Sequence, residues 1–356
     1  MGLLNQLIRW LSGTKPPTVQ SPTTERAPVR PAEKSALETV FKTMIGRQKG
    51  FAPTFGLPPR NDEPIQGLIF DPATQHFARA FRRGDPPLPT EEMQRWQEAR
   101  REATWHLLDI VSGTEWADKL VLRGSLALKA SLGAVAREPG DIDWVVQPAG
   151  LRMDQPEARR MMDGIVKAVT ATPNSRTVKI DVSAIARNDI WTYERAPGHR
   201  IAFPWSWGAL PPALVQMDFV FEQKLHVPPS TIRLSFADLP EVSVLAAGDE
   251  ESLAWKLLWL HSDIHPQGKD LYDAVLLAER TTLRSSLLKT VLQDADNWNP
   301  KWISEWFPFD ASDGPVDWDN FQKECPWVEG TGEEWVARLQ KAIAPVVREL
   351  CAENSE

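Results

Sequence analysis

The sequence predicts an α/β fold in which a sheet flanked by helices is followed by a helical C-terminal region. Strand-like and helix-like runs alternate between about residues 90 and 245, and apolar residues repeat at helical spacing from about Asp249 onwards. The clearest strand is 214–221, where Met217 and Phe219 share one side and Asp218 lies on the other. Such an alternation of strands and helices is typical of a layered α/β domain.

Residues 1–36 are predicted to be a disordered, basic, proline-rich tail. Five prolines lie among Ser and Thr between residues 14 and 32, a composition that cannot build a core. Residues 1–60 hold nine Lys/Arg and three Asp/Glu, a net charge of +6, whereas the whole chain carries −8. Such an arm either contacts a polyanion such as RNA or is a solvated tail. We expect the remaining chain to form two domains, at 37–245 and 246–356.

The first long helix is predicted to start after Pro89. Thr90 is the expected N-cap, and Glu91 and Glu92 follow in the first turn, where negative charge favours a helix. The predicted buried stripe, close to helical period, consists of Met93, Trp96, Ala103, Leu107 and Ile110. Three arginines off this stripe either line a nucleic-acid groove or form a solvated face: Arg95, Arg100 and Arg101.

The strongest functional signal lies in residues 121–146. A strand-like run enters a turn at Gly124 and Ser125, a helix-like run follows, and a second strand contains Asp141 and Asp143. Alternate side chains of a strand share a face, so the two carboxylates repel one another unless a cation lies between them. Mg²⁺ suits this pair, because it binds one or two carboxylates together with substrate phosphates. Glycine lets the backbone approach a phosphate, and the helix N-terminus behind the turn favours negative charge.

Further charged residues lie in the predicted helical half. Lys256 borders an apolar stripe on the helix at 251–260, where it either extends along apolar surface or meets a phosphate. Asp270 and Asp273 are three residues apart and therefore share a helix face. The two aspartates orient Lys256, bind a second substrate, or complement the dipole at a helix N-terminus.

The order of these elements resembles a known group of enzymes. A Gly-Ser turn followed by Asp-x-Asp is similar to the signature of the polymerase-beta-like nucleotidyltransferases. The helix lysine and the Lys-Asp-Leu-Tyr-Asp element at 269–273 narrow the resemblance to the AbiEii/AbiGii abortive-infection toxin family, to which the MenT toxins belong. It covers roughly residues 75–280. Fifteen residues separate Ser125 from Asp141, more than is usual in the family, and an extra turn between Gly133 and Gly140 would absorb them.

The resemblance implies a nucleotidyltransferase-type mixed sheet and a Mg²⁺-dependent transfer of an NMP from an NTP such as ATP to an acceptor hydroxyl. The superfamily places a third carboxylate on a later strand, for which we favour Asp218, as the candidate base, over Asp181. The implied catalytic residues are Asp141, Asp143, Asp218 and Lys256, of which the three aspartates are also the implied metal ligands. The implied nucleotide-binding residues are Gly124, Ser125, Arg137, Lys256, Asp270 and Asp273.

The resemblance also implies a biological setting. It suggests a toxin of a toxin–antitoxin or abortive-infection system in phage defence, which has a cognate antitoxin and modifies RNA, specifically tRNA as the MenT toxins do. Two other functions stay open: a nucleotidyltransferase acting on a protein or small-molecule hydroxyl, and a non-catalytic binding protein that kept the fold. The presence of Asp141, Asp143 and Lys256 argues against a non-catalytic binding protein.

Composition fits an ordinary soluble protein, with 42% hydrophobic and 25% charged residues. The two cysteines, Cys325 and Cys351, have no ligand-like spacing, which argues against a disulfide framework or a zinc site and fits a reducing cytoplasm. No apolar run approaches the ~20 residues that a membrane-spanning helix needs. We therefore expect a cytoplasmic protein without a membrane span.

Overall fold

The computed structural model describes Pro86 and residues 88–191, 196–262, 266–294 and 316–353. These residues belong to one compact unit. The predicted tail at 1–36 lies outside them, so its disorder stays a prediction, as do the domain boundaries near 37 and 246.

Within the described residues, eight strands form one mixed sheet. Their order across the sheet is β3-β5-β6-β2-β1-β8-β7, and β4 also pairs with β5. The β2–β6 and β1–β8 pairs are parallel, and the other pairs are antiparallel. The strands are β1 Leu120–Arg123, β2 Asp141–Val146, β3 Lys179–Ile180, β4 Ala186–Trp191, β5 Pro197–Ser206, β6 Ala213–Val220, β7 Ser230–Leu234 and β8 Val242–Ala246.

Helices cover both faces of this sheet, which confirms the predicted α/β fold and its helical C-terminal region. In chain order they are α1 Thr90–Ser112, α2 Gly124–Leu132, α3 Pro156–Ala171, α4 Asp249–Ser262, α5 Gly268–Ala278, α6 Ser285–Gln293, α7 Trp318–Glu324 and α8 Gly332–Glu353. Helices α1 and α3 pack on one face, and α4 to α8 build a second apolar core on the other. No described helix is both long and apolar enough to cross a bilayer.

The central strands divide their side chains between the two cores. Ile142 and Trp144 of β2 lie in the core under α1 and α3, whereas Val145 lies in the core of the C-terminal helices. Because successive side chains of a strand point to opposite faces, Asp141 and Asp143 share the face of Val145. The candidate carboxylates therefore face the C-terminal helices, although all the described strands of the sheet precede those helices in the chain.

Helix α1 begins one residue earlier than we predicted. Pro89 occupies the N-cap position, its carbonyl accepts a hydrogen bond from the Met93 amide, and no side chain caps the helix. The expectation that Thr90 is the N-cap is therefore wrong by one position, a common uncertainty at helix ends. The predicted apolar stripe is confirmed, because Trp96, Ala103 and Leu107 are buried and the other two members pack against the same core.

Helix α4 lies at the centre of the C-terminal core. It begins at Asp249, as predicted, and every residue of 251–260 is buried. A helix buried on all sides has to enclose its polar side chains with partners of their own. Lys256 and Glu251 are such side chains, and Glu251 accepts hydrogen bonds from the backbone amides of His226 and Val227.

Candidate active site

Gly124 joins the end of β1 to the start of α2 and lies directly against Asp143. Its φ of +72° belongs to the left-handed region that glycine adopts without steric cost. A Cβ atom at this position would lie 2.3 Å from Oδ2 of Asp143. Any larger residue would therefore displace the carboxylate, so the predicted turn and the predicted Asp-x-Asp are packed together.

Ser125 follows Gly124 in the first turn of α2. The residue is 3% exposed, and its hydroxyl oxygen is buried without a hydrogen-bond partner. A buried hydroxyl without a partner is costly and indicates a group that a ligand or water completes. The backbone amides in the N-terminal turn of α2 also favour a negatively charged group such as a phosphate.

Asp141, Asp143 and Asp218 lie on one face of the sheet. Asp143 of β2 is paired in register with Asp218 of the neighbouring parallel strand β6, and Asp141 is paired with Gln216. Met217 and Phe219 lie in the core on the opposite face. The structure thus brings together the three aspartates that the sequence singled out.

Burial and mutual repulsion disfavour the ionised form of Asp143. Burial is the largest cause that raises the pKa of Asp143 to about 8, and the negative charges of Asp141 and Asp218 raise it further. The positive charges of Arg123 and Lys269 lower the pKa of Asp143, but by less than these effects raise it. A carboxyl group in this situation gains most from a cation, because a cation replaces the proton and relieves the repulsion.

Lys256 is buried between α4 and α5 and forms ion pairs with both predicted partners. Its Nζ lies 2.7 Å from Oδ1 of Asp270 and 3.0 Å from Oδ2 of Asp273. Burial lowers the pKa of Lys256, but the two carboxylates outweigh this effect and the net shift is upward. The ammonium also lies 4.9 Å from the ring centre of Trp259. Of the alternatives for these aspartates, the structure favours the one in which they orient Lys256.

Arg137 connects this pair to the carboxylates of the sheet. It lies on the segment before β2, and its Nη2 is 3.2 Å from Oδ2 of Asp273. Burial lowers the pKa of Arg137, whereas Asp273 and then Asp141 raise it, and the increase prevails. Asp273 therefore pairs with Lys256 of α4 and with Arg137 of the segment before β2. Burial raises the pKa of Asp273, but the two positive charges outweigh this effect and the net shift is downward.

Sequence reasoning missed Arg123, the last residue of β1. It is paired in register with Asp143 and is 4% exposed. Its guanidinium lies 5.7 Å and 5.3 Å from the ring centres of Trp255 and Trp259, and its Nη1 donates a hydrogen bond to Gln223. The position of Arg123 immediately before the Gly-Ser turn was the available signal.

Sequence reasoning also missed Arg200, which lies on β5 beside Asp218. Its Nε and Nη2 donate hydrogen bonds of 2.6 Å and 2.5 Å to the two carboxylate oxygens of Asp218. Both residues are buried. Asp181, the competing third carboxylate, is exposed and accepts hydrogen bonds from Ser183, at the start of a short 3₁₀ turn. Of the two candidates, Asp218 is the one that lies beside Asp143.

A comparison with protein families decides where the chain belongs. The family model described as "Nucleotidyl transferase AbiEii toxin, Type IV TA system" matches residues 106–340, about two thirds of the chain. The chain belongs to the AbiEii family. The match extends from α1 to α8 and includes the Gly-Ser turn, the Asp-x-Asp strand and Lys256. No match was found among curated proteins.

Membership of the AbiEii family confirms the resemblance drawn from the motifs. The family consists of nucleotidyltransferase toxins of type IV toxin–antitoxin systems, so it implies an enzyme fold that uses nucleotides and an antitoxin partner. Nucleotidyltransferases generally use a nucleoside triphosphate and a divalent metal ion. The acceptor and the identity of the metal go beyond this family description.

The residues of the AbiEii fold fit such a metal and nucleotide. Asp141 and Asp143 supply two oxygen donors, Gly124 leaves space that a Cβ would fill, and Ser125 keeps a buried hydroxyl without a partner. Within the described part of the chain, no three His, Cys, Asp or Glu side chains are arranged to hold a metal ion by themselves. Two carboxylates suit Mg²⁺, which completes its shell with waters and phosphate oxygens.

Proposed function

We propose that this AbiEii-family protein transfers an NMP from an NTP to a hydroxyl of RNA and releases pyrophosphate. The observation that supports this most is the contact between the Gly124 turn and Asp143, where a Cβ would lie 2.3 Å from the carboxylate. A turn suited to phosphate thereby adjoins a carboxylate suited to a cation. Nucleotidyl transfer requires this combination, because the triphosphate has to be held and its charge neutralised at the same point.

The binding roles follow from the placement of each side chain. Asp141 and Asp143 would hold Mg²⁺, which when bound neutralises the triphosphate and stabilises the attacking and leaving oxygens. The backbone of Gly124 and the hydroxyl of Ser125 would donate to phosphate oxygens. Lys256 would offset the negative charge that develops on the leaving pyrophosphate, and Asp270 and Asp273 keep its ammonium in place.

Asp218 and Arg137 take the remaining proposed roles. Asp218, which is paired in register with Asp143, is the candidate base that accepts the proton of the acceptor hydroxyl. Arg137 bridges Asp273 and the neighbourhood of Asp141, so it contributes positive charge on the side of Lys256. Catalysis by this arrangement is mainly positioning and electrostatic stabilisation, as in phosphoryl transfer in general.

The proposed setting is a cytoplasmic phage-defence toxin with an RNA acceptor, specifically tRNA. The toxin–antitoxin description of the family supports this setting, and the acceptor follows from the resemblance to the MenT toxins. Transfer to a protein or small-molecule hydroxyl is the competing outcome of the test below.

The direct test incubates the purified protein with each α-labelled NTP, Mg²⁺ and total cell RNA. We expect label in RNA, release of pyrophosphate, and loss of both in D141N and D143N. D154N is the matched control, because Asp154 lies on the surface in a pair with Arg152 and should leave transfer unchanged. Label in protein or in a small molecule would replace the RNA acceptor, and no incorporation with any NTP would contradict nucleotidyl transfer.

A further inference from the structure

The ion pair between Arg200 and Asp218 affects how many carboxylates are available to bind the proposed metal ion. Arg200 lies on β5 and Asp218 on β6, and the two residues are partners in the antiparallel register. Both residues lie on the sheet face of Asp143, which is the next in-register partner across the sheet. The order Asp143, Asp218, Arg200 thus runs along one line across three neighbouring strands, which are spaced about 4.8 Å apart.

The geometry of this pair engages the whole carboxylate. The planar guanidinium donates one hydrogen bond to each oxygen of Asp218, at 2.6 Å and 2.5 Å. Side chains of both residues are at most 9% exposed. A two-point bond between a guanidinium and a carboxylate fixes both planes and is among the stronger hydrogen-bonded pairs in proteins. Asp218 therefore points its oxygens at an internal cation on β5.

The neighbouring carboxylates have a different environment. Asp143 contacts the Gly124 turn, and burial together with Asp141 and Asp218 disfavours its charge. The guanidinium of Arg200 interacts electrostatically with Asp141 and Asp143 as well as with Asp218. In the described residues no third carboxylate joins Asp141 and Asp143 in a metal-binding arrangement.

We propose that Arg200 keeps Asp218 out of the metal's coordination shell, so that Asp141 and Asp143 hold the cation alone. Arg200 is then a positioning residue: it neutralises Asp218 and leaves the metal with more water and phosphate ligands. This inference rests on the proposed function, because it assumes that Asp141 and Asp143 bind a divalent cation. It bears on one of the two roles predicted for Asp218, since it excludes that of a metal ligand.

The decisive comparison uses variants with the same net charge. R200M/D218L removes one positive and one negative charge, and replacing a buried ion pair by apolar residues of similar volume is often tolerated. The measurement is Mn²⁺ binding to the protein without NTP, with the number of metal-bound waters counted from proton relaxation. We expect the wild type and R200M/D218L to have the same Mn²⁺ affinity and the same number of waters. R200Q/D218N, also neutral, replaces this variant if its thermal melting shows that it is not folded.

A single substitution at Arg200 is expected to change metal binding. R200M removes the cation and frees Asp218 to turn to the metal, so Mn²⁺ should bind more tightly and with at least one water fewer, because a third carboxylate replaces a water. If R200M does not fold, R200Q serves instead, because glutamine also removes the positive charge, and the same loss of water is expected. An unchanged water count in the single variant, or weaker binding in the neutral double variant, overturns the proposal.

Two further variants separate this proposal from the proposed metal site. D141N and D143N should weaken Mn²⁺ binding, whatever the role of Arg200. If both leave the affinity unchanged, the metal site itself is wrong. If both weaken binding and R200M/D218L weakens it as well, the metal site stands and only the exclusion of Asp218 by Arg200 is wrong.

Discussion

Gly124 shows how one backbone position sets the geometry of the candidate site. Two separate constraints act on it: a φ of +72°, and a Cβ position 2.3 Å from Oδ2 of Asp143. The first constraint alone costs a non-glycine residue about 1–2 kcal/mol. The second requires the carboxylate to move, and a displacement of this kind at a proposed metal ligand should change the chemistry as well as the stability.

Gly133 makes it possible to separate these constraints by mutation. Its φ of +66° resembles that of Gly124, but a Cβ would meet nothing within 4 Å. Its ψ of −129° places it outside the left-handed helical region, in a conformation that residues other than glycine rarely adopt. We expect G133A to lower the free energy of unfolding by about 1–3 kcal/mol and to retain nucleotide transfer. G124A should also carry a backbone cost, because its φ is positive, and it should lose transfer. Chemical denaturation and incorporation of labelled NMP measure the two effects, and equal transfer by both variants would show that Asp143 tolerates the displacement.

The raised pKa of Asp143 predicts a pH-dependent stability. The folded protein holds this proton up to about pH 8, whereas the unfolded chain loses it near the ordinary aspartate pKa of 3.8. Between these values the folded state binds more protons, so this group makes the protein less stable as the pH rises.

D143N removes this dependence. In the absence of divalent metal, we expect D143N to be more stable than the wild type at pH 8 and the difference to diminish towards pH 4, as measured by urea denaturation across this range. D154N should follow the wild type at every pH. A constant difference between D143N and the wild type from pH 4 to pH 8 would contradict the buried, repelled state of Asp143.

Lys256 links helices α4 and α5 through two buried ion pairs. Its ammonium binds Asp270 and Asp273 of α5 from a position on α4, and all three side chains are at most 5% exposed. Removing one partner of a buried ion pair leaves an uncompensated charge, which typically costs about 3–5 kcal/mol. The lysine thus supports the packing of α4 on α5, whatever it does for the nucleotide.

A surface pair offers the control for this effect. Arg284 pairs with Glu250 at 2.9 Å, but its side chain is 60% exposed. We expect K256M to lower the free energy of unfolding by about 3–5 kcal/mol, whereas R284M should leave it nearly unchanged because solvent screens the exposed pair. Thermal or chemical unfolding measures both, and a K256M protein as stable as R284M would show that solvent reaches the lysine. K256R, which keeps the charge, should recover part of the stability and little of the transfer if the nucleotide needs a compact ammonium.

The elements that the sequence predicted well are those with a long periodic signal. Helices α1 and α4 and strand β6 have apolar residues at regular spacing, and the Gly-Ser turn and Asp-x-Asp are local in the chain. Arg123 was missed because β1 has only four residues, all buried, so alternation gave no sign of its face. Arg200 was missed because it lies in the first half of β5, a part of the strand that pairing with β4 and β6 extends back to Pro197. Strand register depends on partners distant in sequence, and local pattern does not specify it.

On the scale of the whole molecule, charge is distributed unevenly. Residues 1–60 have a net charge of +6, and the whole chain has a net charge of −8. The net charge of residues 61–356 is therefore −14. An acidic body disfavours nonspecific contact with RNA away from a local groove, so a basic arm would be the natural place for contacts with RNA phosphates. The arm lies outside the described residues, and its contribution is a matter for experiment.

Deleting residues 1–34 tests this contribution. We expect transfer to a small acceptor to be retained, and RNA binding to weaken and to depend less on salt. For single-stranded RNA the slope of log affinity against log salt should fall by about 0.7 for each phosphate that the shortened protein no longer neutralises. Titrations at several salt concentrations measure the slope, and an unchanged slope would identify the arm as a solvated tail.

The separation in sequence between the carboxylates and Lys256 has a consequence for synthesis. Asp143 leaves the ribosome 130 residues before Asp273, which completes the ion pairs of Lys256. At about 5–20 residues per second this interval lasts roughly ten seconds. During that interval the nascent chain carries the carboxylate pair and the Gly124 turn without the helix that faces them. Chains from stalled or broken messages that end before Lys256 lack the lysine. We therefore expect such an unfinished chain to be inactive in nucleotide transfer, and activity to arise only after the C-terminal half has been translated and folded against the sheet.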